Sequence, residues 1–279
     1  MFNSIKVSAI SLKPIKWDKS ANADKMEALF LEAAKDNPQL ILTTEGALEG
    51  YVVMDVVQKL RTAEEMLAIS ESIDGTYIQR FRKLAKQLKT CLCFGFAERI
   101  DKEIYNSAVF IGSDGQICGK YHKTQLAEGT HSSWPFNRVG ERLRAFDTPV
   151  GRVGIVICND RWNPLIARTL VLDGASLILI PSYGSKNKAQ NQTVLARARE
   201  NGVPIVEANV GMNLIISKGE IVAYKWGNDK ITTTTIEIPT PISQKAARLS
   251  EQEYLQYQQP EMEKRYQQTV KKFRLDSSS

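Results

Sequence analysis

The sequence predicts an α/β protein organised as one continuous domain around mixed sheet structure, and two observations carry that reading. Apolar runs of strand length, rich in β-branched residues, alternate with longer segments of helical periodicity, the order expected where helices cross over between parallel strands. Short turn signals, Ser113-Asp114-Gly115 above all, interrupt the alternation and require antiparallel neighbours as well. Neither an internal repeat nor a Gly/Ser linker divides the 279 residues.

Residues 5–10 read as a first strand and 21–34 as a helix that ends before Asn37-Pro38. A second apolar strand, 40–43, runs into Glu45 and a loop over 46–51, with helical material at 63–69. Asp74-Gly75 breaks the chain before an amphipathic helix over 77–88, with Ile78, Phe81, Leu84, Ala85 and Leu88 on one stripe. Strands follow at 91–97 and 105–111, and the hairpin returns through 117–121 to His122-Lys123. Residues 124–144 form a long polar loop with isolated aromatics (Trp134, Phe136), a kind of connection that is usually functional. The run 153–157 reads as a buried strand that Asn159 and Asp160 break, with Pro164 in the first turn of a helix reaching Leu172. A strand at 177–180 leads to a helix over 186–200, with Ser185 as N-cap and Asn201-Gly202 as its stop. Strands at 204–208, 214–217 and 221–224 and a Thr-rich strand ending at Ile238 complete a domain of residues 1–240. The remainder, 241–279, is polar and helical with a break at Pro260. It has little apolar surface to bury and reads as an arm that docks on a neighbouring subunit or is partly disordered.

With 43% hydrophobic and 24% charged residues the chain has the composition of a soluble globular protein with a substantial core. The net charge of +6 is dispersed. The nearest approach to a basic run is Lys271-Lys272-Phe273-Arg274, so the clustered charge of a nucleic-acid face is missing and the excess mildly favours a small anionic ligand. Residues 1–9 carry no signal-peptide pattern and no apolar run approaches membrane-spanning length, which argues for a reducing cytoplasm and no membrane partner. Cys91, Cys93, Cys118 and Cys158 lack zinc-site spacing, and with only His122 and His131 there is no histidine cage for a metal.

Three polar groups stand at the ends of apolar strands: Glu45, Lys123 and Cys158. Singly, each has a plain structural reading: a loop carboxylate, a solvated strand-end ammonium, and a small hydrophobe closing a strand. As a set they have a chemical logic. A thiol needs a base to become a nucleophile, a carboxylate lifted by partial burial can be that base, and an ammonium can hold the oxyanion of a tetrahedral intermediate. A helix N-terminus close to Cys158 would favour the thiolate. Glu, Lys and Cys therefore suffice for acyl transfer without a histidine, although spacing alone does not show that they converge. His122, by strand alternation, points away from Lys123 and takes no role, and His131 takes none either.

Four stretches now bear on the reading: Leu42-Thr-Thr-Glu45-Gly-Ala-Leu-Glu-Gly-Tyr51, Gly119-Lys-Tyr-His-Lys123-Thr-Gln-Leu126, Phe146-Asp-Thr-Pro-Val-Gly-Arg-Val-Gly154 and Ile157-Cys158-Asn-Asp-Arg-Trp162. Together with Ala196-Arg-Ala-Arg-Glu-Asn201 and Val206-Glu-Ala-Asn209-Val-Gly211 they resemble the successive blocks of the nitrilase, or carbon–nitrogen hydrolase, superfamily, in the correct order over residues 5–238. The resemblance implies a four-layer α-β-β-α sandwich with mixed sheets. It implies catalysis by Glu45, Lys123 and Cys158 without a cofactor, and a homodimer or higher homo-oligomer in which the arm crosses to a neighbour.

The chain also departs from the family pattern. A further glutamate that many members carry after the lysine is here Ser133, with Glu128 the nearest substitute. Cys-Asn-Asp-Arg is similar to N-carbamoyl-D-amino-acid amidohydrolases, where arginine helps hold the substrate carboxylate. Those enzymes have two adjacent arginines where this chain has Arg161 and Trp162; a single arginine still permits a bidentate clamp, and an ion pair at the surface or one step behind the substrate is an equal reading of Arg161. The expectation is a hydrolase that cleaves a linear amide or N-carbamoyl compound bearing a carboxylate through a Cys158 thioester, with a nitrile less favoured. Asn159 would supply a backbone N–H to the oxyanion, and Arg161 and Trp162 would contact substrate. The alternative is a catalytically silent binding or scaffold protein on the same fold, motivated by Ser133.

Overall fold

The computed structural model describes residues 4–126, 136–184, 187–240 and 244–276. The chain opens with β1 (Ser4–Ile10) and α1 (Lys19–Ala34), whose first turn is capped by the Asp18 carboxylate accepting the Ala21 N–H at 2.9 Å. β2 (Leu40–Leu42) follows, then α2 (Val53–Val57), a short helix between the expected loop and the expected helical segment, and α3 (Ala63–Ile69), started by a reciprocal Thr62–Glu65 capping box. The amphipathic α4 (Thr76–Leu88) ends at Lys89, whose left-handed φ of 53° terminates the helix. β3 (Cys91–Ile100), β4 (Glu103–Ile111) and β5 (Ile117–His122) form an antiparallel run, with β6 (Asn137–Arg138) set parallel on the start of β4.

The second half repeats the scheme. β7 (Phe146–Thr148) and β8 (Gly151–Ile155) lead through a 3-10 turn at Cys158–Trp162 to α5 (Pro164–Leu172), then β9 (Leu177–Ser182), α6 (Lys188–Asn201) and β10 (Ile205–Asn209). Asn187, rather than the expected Ser185, caps α6 by accepting the Gln190 N–H at 2.8 Å; Ser185 lies outside the described residues. β11 (Met212–Ser217), β12 (Glu220–Trp226) and β13 (Ile231–Glu237) close the sheets. α7 (Gln244–Glu253), a π-helical turn at Tyr254–Gln258 and α8 (Gln259–Asp276) end the chain. The break in the last helix thus falls on that π turn and not at Pro260, which enters α8 near its start, where proline costs no hydrogen bond.

The strands make two mixed sheets, ordered β13-β1-β2-β3-β4-β5 with β6 on β4, and β12-β11-β10-β9-β8-β7. In each, three central strands run parallel and the flanks antiparallel. The inner faces meet in one core containing Val7, Leu40, Cys91, Cys93, Phe110, Ile155, Leu179 and Val206. Outside the first sheet, α1 and α4 bury Met26, Phe30, Ile78 and Phe81 against Phe94 and Phe96, with Phe30 and Phe81 edge to face at 5.7 Å. α5 and α6 cover the second sheet with Ile166, Leu170, Val194 and Ala198. Helix, sheet, sheet and helix therefore stack as four layers, as the motif blocks imply. Parallel strands in such layers open ligand crevices at their C-terminal ends, and β2, β8 and β9 all end on the same side as β5.

The arm corrects one expectation. Tyr254 is 1% exposed within the inter-sheet core cluster, and Met262 packs with Leu126 and Val139. The segment therefore lies on its own domain, anchored by two apolar side chains that polar composition had hidden.

Candidate active site

Glu45 stands just past the end of β2 and is fully buried. Its backbone can press against β3 because Gly95 has no side chain there: a Cβ on Gly95 would come within 2.6 Å of the Glu45 Cα. The contact is fixed by reciprocal backbone hydrogen bonds, Gly95 N–H to the Thr44 carbonyl and Ala47 N–H to the Gly95 carbonyl, at 2.9 and 2.8 Å. The carboxylate meets three donors. Oε1 accepts the Lys123 ammonium at 2.9 Å and the Asn106 amide at 2.6 Å, and Oε2 accepts the Tyr183 N–H at 2.8 Å. Lys123, only 4% exposed, is delivered by β5, whose next residue bonds its own N–H to the Asn106 carbonyl at 2.8 Å.

Cys158 takes a left-handed backbone, φ 47°, a conformation a side chain adopts only when its surroundings impose it. Here the imposition is visible. The Asp160 carboxylate accepts the Ile157 N–H at 3.0 Å, the Gln125 N–H at 2.7 Å and the Tyr121 O–H at 2.9 Å, so it binds the turn to the segment carrying Lys123. On the other side Arg161 Nε donates to the Cys158 carbonyl. These bonds end β8 early and aim the thiol away from the strand. The Sγ–H reaches the Tyr183 carbonyl at 3.8 Å, and Gly184 lies against the sulfur, where a Cβ would stand 3.6 Å away. Glu45 and Cys158 thus hold the N–H and the C=O of one residue, Tyr183, whose ring stacks on Tyr51 at 4.4 Å.

Electrostatically, burial and then the Glu45 charge raise the Cys158 thiol above its ordinary value, against the opposing pull of Lys123 and Arg161. The resting sulfur is therefore a thiol, not the thiolate a helix N-terminus would favour: burial and an adjacent carboxylate both oppose a negative charge on it. Burial works against the charged form of Lys123, but the Glu45 carboxylate outweighs it and keeps the ammonium protonated. Two further buried carboxyls flank the site. Burial lifts Glu49, which accepts the Ala97 N–H at 2.9 Å, to about 7, and lifts Asp160 to about 6.

Of the residues singled out in the sequence, Glu45, Lys123 and Cys158 come together. Asn159 is half-buried beside Cys158, and its amide donates to the Leu126 carbonyl at 3.2 Å. Arg161 is turned inward and 1% exposed, with Nη1 on the buried Glu207 and Nη2 on Ser182. Its guanidinium braces the nucleophile's turn, the ion-pair alternative to a clamp on a substrate carboxylate. Trp162 is on the surface, 44% exposed. Glu128, together with His131 and Ser133, lies outside the described residues. His122 faces away from Lys123, bonding buried Glu98 at 2.7 Å and stacking on Tyr105. Sequence reasoning missed Asn106, Tyr183 and Asp160. Asn106 sits inside a strand, Tyr183 acts through its backbone, and Asp160 reads as a strand breaker, so only its place two residues after Cys158 was a signal.

A family model described as carbon-nitrogen hydrolase matches residues 6–240. A citrullinase from Francisella tularensis is 28% identical over 244 residues, covering 83% of this chain and 82% of its own length. An N-carbamoylputrescine amidase from Oryza sativa subsp. japonica is 30% identical over 233 residues, covering 78% and 75%. Among solved structures, an amidase from Nesterenkonia sp. AN1 superposes with a TM-score of 0.70 at 18% identity, over 94% of this chain and 99% of that one. A carbon-nitrogen hydrolase from Helicobacter pylori gives 0.67 at 20% identity, over 90% and 93%. At these identities the structural likeness is one of fold.

Proposed function

The chain belongs to the carbon–nitrogen hydrolase family, and from that premise we propose that it hydrolyses a linear amide or N-carbamoyl compound through a thioester on Cys158. The observation that carries the reading is the Glu45 carboxylate, held at 2.9 Å from the Lys123 ammonium while Cys158 bonds the same Tyr183 whose N–H Glu45 accepts. Glu45 takes the thiol proton as sulfur attacks the carbonyl carbon. The oxyanion forms against Lys123 Nζ, 4% exposed, and the Asn159 N–H. Collapse of the tetrahedral intermediate breaks the C–N bond, and Glu45 passes its proton to the departing amine or ammonia. Glu45 then takes a proton from water as it attacks the thioester, and the second collapse returns that proton to the sulfur and frees the acid. Asn106, bonded to Glu45 Oε1 at 2.6 Å, fixes the carboxylate through both half-reactions.

Citrullinase and N-carbamoylputrescine amidase, the two relatives named above, support a carbamoyl or amide substrate. The Nesterenkonia amidase, with acrylamide added at its active-site cysteine, supports sulfur as the nucleophile. With Arg161 engaged by Glu207, a substrate carboxylate loses the residue that argued for it. A cytoplasmic location and a homo-oligomeric state remain part of the proposal; among the described residues no helix is long and apolar enough to cross a membrane. The test is a screen for ammonia and amine release across amides, N-carbamoyl compounds and nitriles, with intact-mass analysis after a denaturing quench. Turnover and an acyl adduct by the wild type, both lost in Cys158→Ala, are expected. A wild type that binds panel compounds yet releases nothing and forms no adduct would overturn the proposal in favour of a silent binding protein.

A further inference from the structure

We infer that Tyr254, on the C-terminal arm, is a positioning residue for the nucleophile's turn, acting through Thr124, Tyr121 and Asp160. The inference rests on the hydrolase reading above only for its turnover readout. A π-helical turn at Tyr254–Gln258 interrupts the arm, a deviation that recurs at functional sites. It sends the Tyr254 ring inward to 1% exposure while Leu255 and Tyr257 on the same turn stay in solvent. The arm is pinned on both sides of that ring. Glu251 pairs with Arg144, and Met262 packs on Leu126 and Val139.

Donor bookkeeping identifies what the hydroxyl is for. Tyr121 donates its O–H to Asp160 Oδ2, so in the 2.8 Å contact between Tyr121 and Thr124 the threonine is the donor. Thr124 Oγ1 therefore keeps a lone pair free. The Tyr254 hydroxyl is buried with no hydrogen-bond partner among the described residues, and Thr124 and Asp160 are the polar groups near enough to act on it. An unpaired buried hydroxyl is costly, and phenylalanine would fill the same space without that cost. Thr124 Oγ1, with that lone pair, is the acceptor within reach of the Tyr254 hydroxyl. The resulting chain runs from the arm through Thr124 and Tyr121 to Asp160, the carboxylate that accepts the Ile157 N–H and holds Cys158 left-handed. Thr124 also adjoins Lys123, so the same bond steadies the oxyanion donor.

The experiment compares the full-length wild type with Tyr254→Phe, Thr124→Val and the double variant. Tyr254→Phe should melt within a few degrees of the wild type, because phenylalanine fills the same space. Its kcat should fall about tenfold, one hydrogen bond's worth, with KM unchanged. In the double variant the tyrosine change should add nothing to Thr124→Val. A kcat within twofold of wild type, full additivity, or a melting temperature that falls in step with activity would each overturn the inference. Alkylation of Cys158 by iodoacetamide, read peptide by peptide, separates the two proposals. If no panel compound is turned over, the hydrolase reading fails, and a several-fold change in the Cys158 rate in Tyr254→Phe still supports the coupling, whereas an unchanged rate overturns it.

Discussion

Replacing Arg161 by methionine separates a bracing arginine from a substrate clamp. The substitution keeps most of the side-chain volume and removes three donors: Nε on the Cys158 carbonyl, Nη1 on Glu207 and Nη2 on Ser182. Glu207 is 0% exposed, and one of its oxygens, Oε2, already lacks a partner among the described residues. Without Arg161 the carboxylate keeps, among the described residues, the Gln190 amide at 3.2 Å. Stranding one member of a buried ion pair costs about 3–5 kcal/mol. For a chain of this size that lowers the melting temperature by roughly 6–10 °C. Arg161→Met combined with Glu207→Gln should recover much of the loss, because no buried charge is then left alone. Thermal melts of the four proteins of the cycle measure this. Activity supplies the second arm: kcat/KM should fall by a similar factor on substrates with and without a carboxylate, since the slackened element is the Cys158 turn. Stability within about 1 kcal/mol of wild type, or a loss confined to carboxylate-bearing substrates, would refute the bracing role.

Three further outcomes are expected. Asn106→Ala removes one of the two donors on Glu45 Oε1 and should lower kcat on the order of tenfold with little effect on melting, read by steady-state kinetics. Gly95→Ala drives a methyl to 2.6 Å from the Glu45 backbone; turnover should be lost while stability falls by about 1–3 kcal/mol in urea titrations. Glu49 gives a pH signature. Its folded value, raised from 4.5 to about 7, means the native state holds the proton more tightly, so this group's contribution is fully present below 4.5 and is lost as pH rises through 7. The loss is roughly 3 kcal/mol, and Glu49→Gln should flatten the stability profile between pH 5 and pH 8 by that amount; an unchanged slope would show that Glu49 is not the group responsible.

Most of the layer order was legible in the chain itself. Strand and helix periodicities, the hairpin at Ser113-Asp114-Gly115, the stripe of Ile78, Phe81, Leu84 and Ala85, and the polar residues ending three strands are local signals, because side-chain alternation and capping are decided by neighbours in sequence. The motif blocks added Glu45, Lys123 and Cys158 as one site. What they could not contain is the partner of each buried charge. Arg161 reads the same whether it meets a substrate or Glu207, 46 residues later. Asn106 and the Tyr183 backbone become functional only because Glu45 is folded against them. The state of the sulfur was decided the same way, since burial and a neighbouring carboxylate, not the helix beside it, set its proton affinity. Sequence determines which groups a chain carries and the faces they occupy. The tertiary structure decides which charges share one dry space, and there the energy of a contact depends on distance and dielectric rather than on order along the chain.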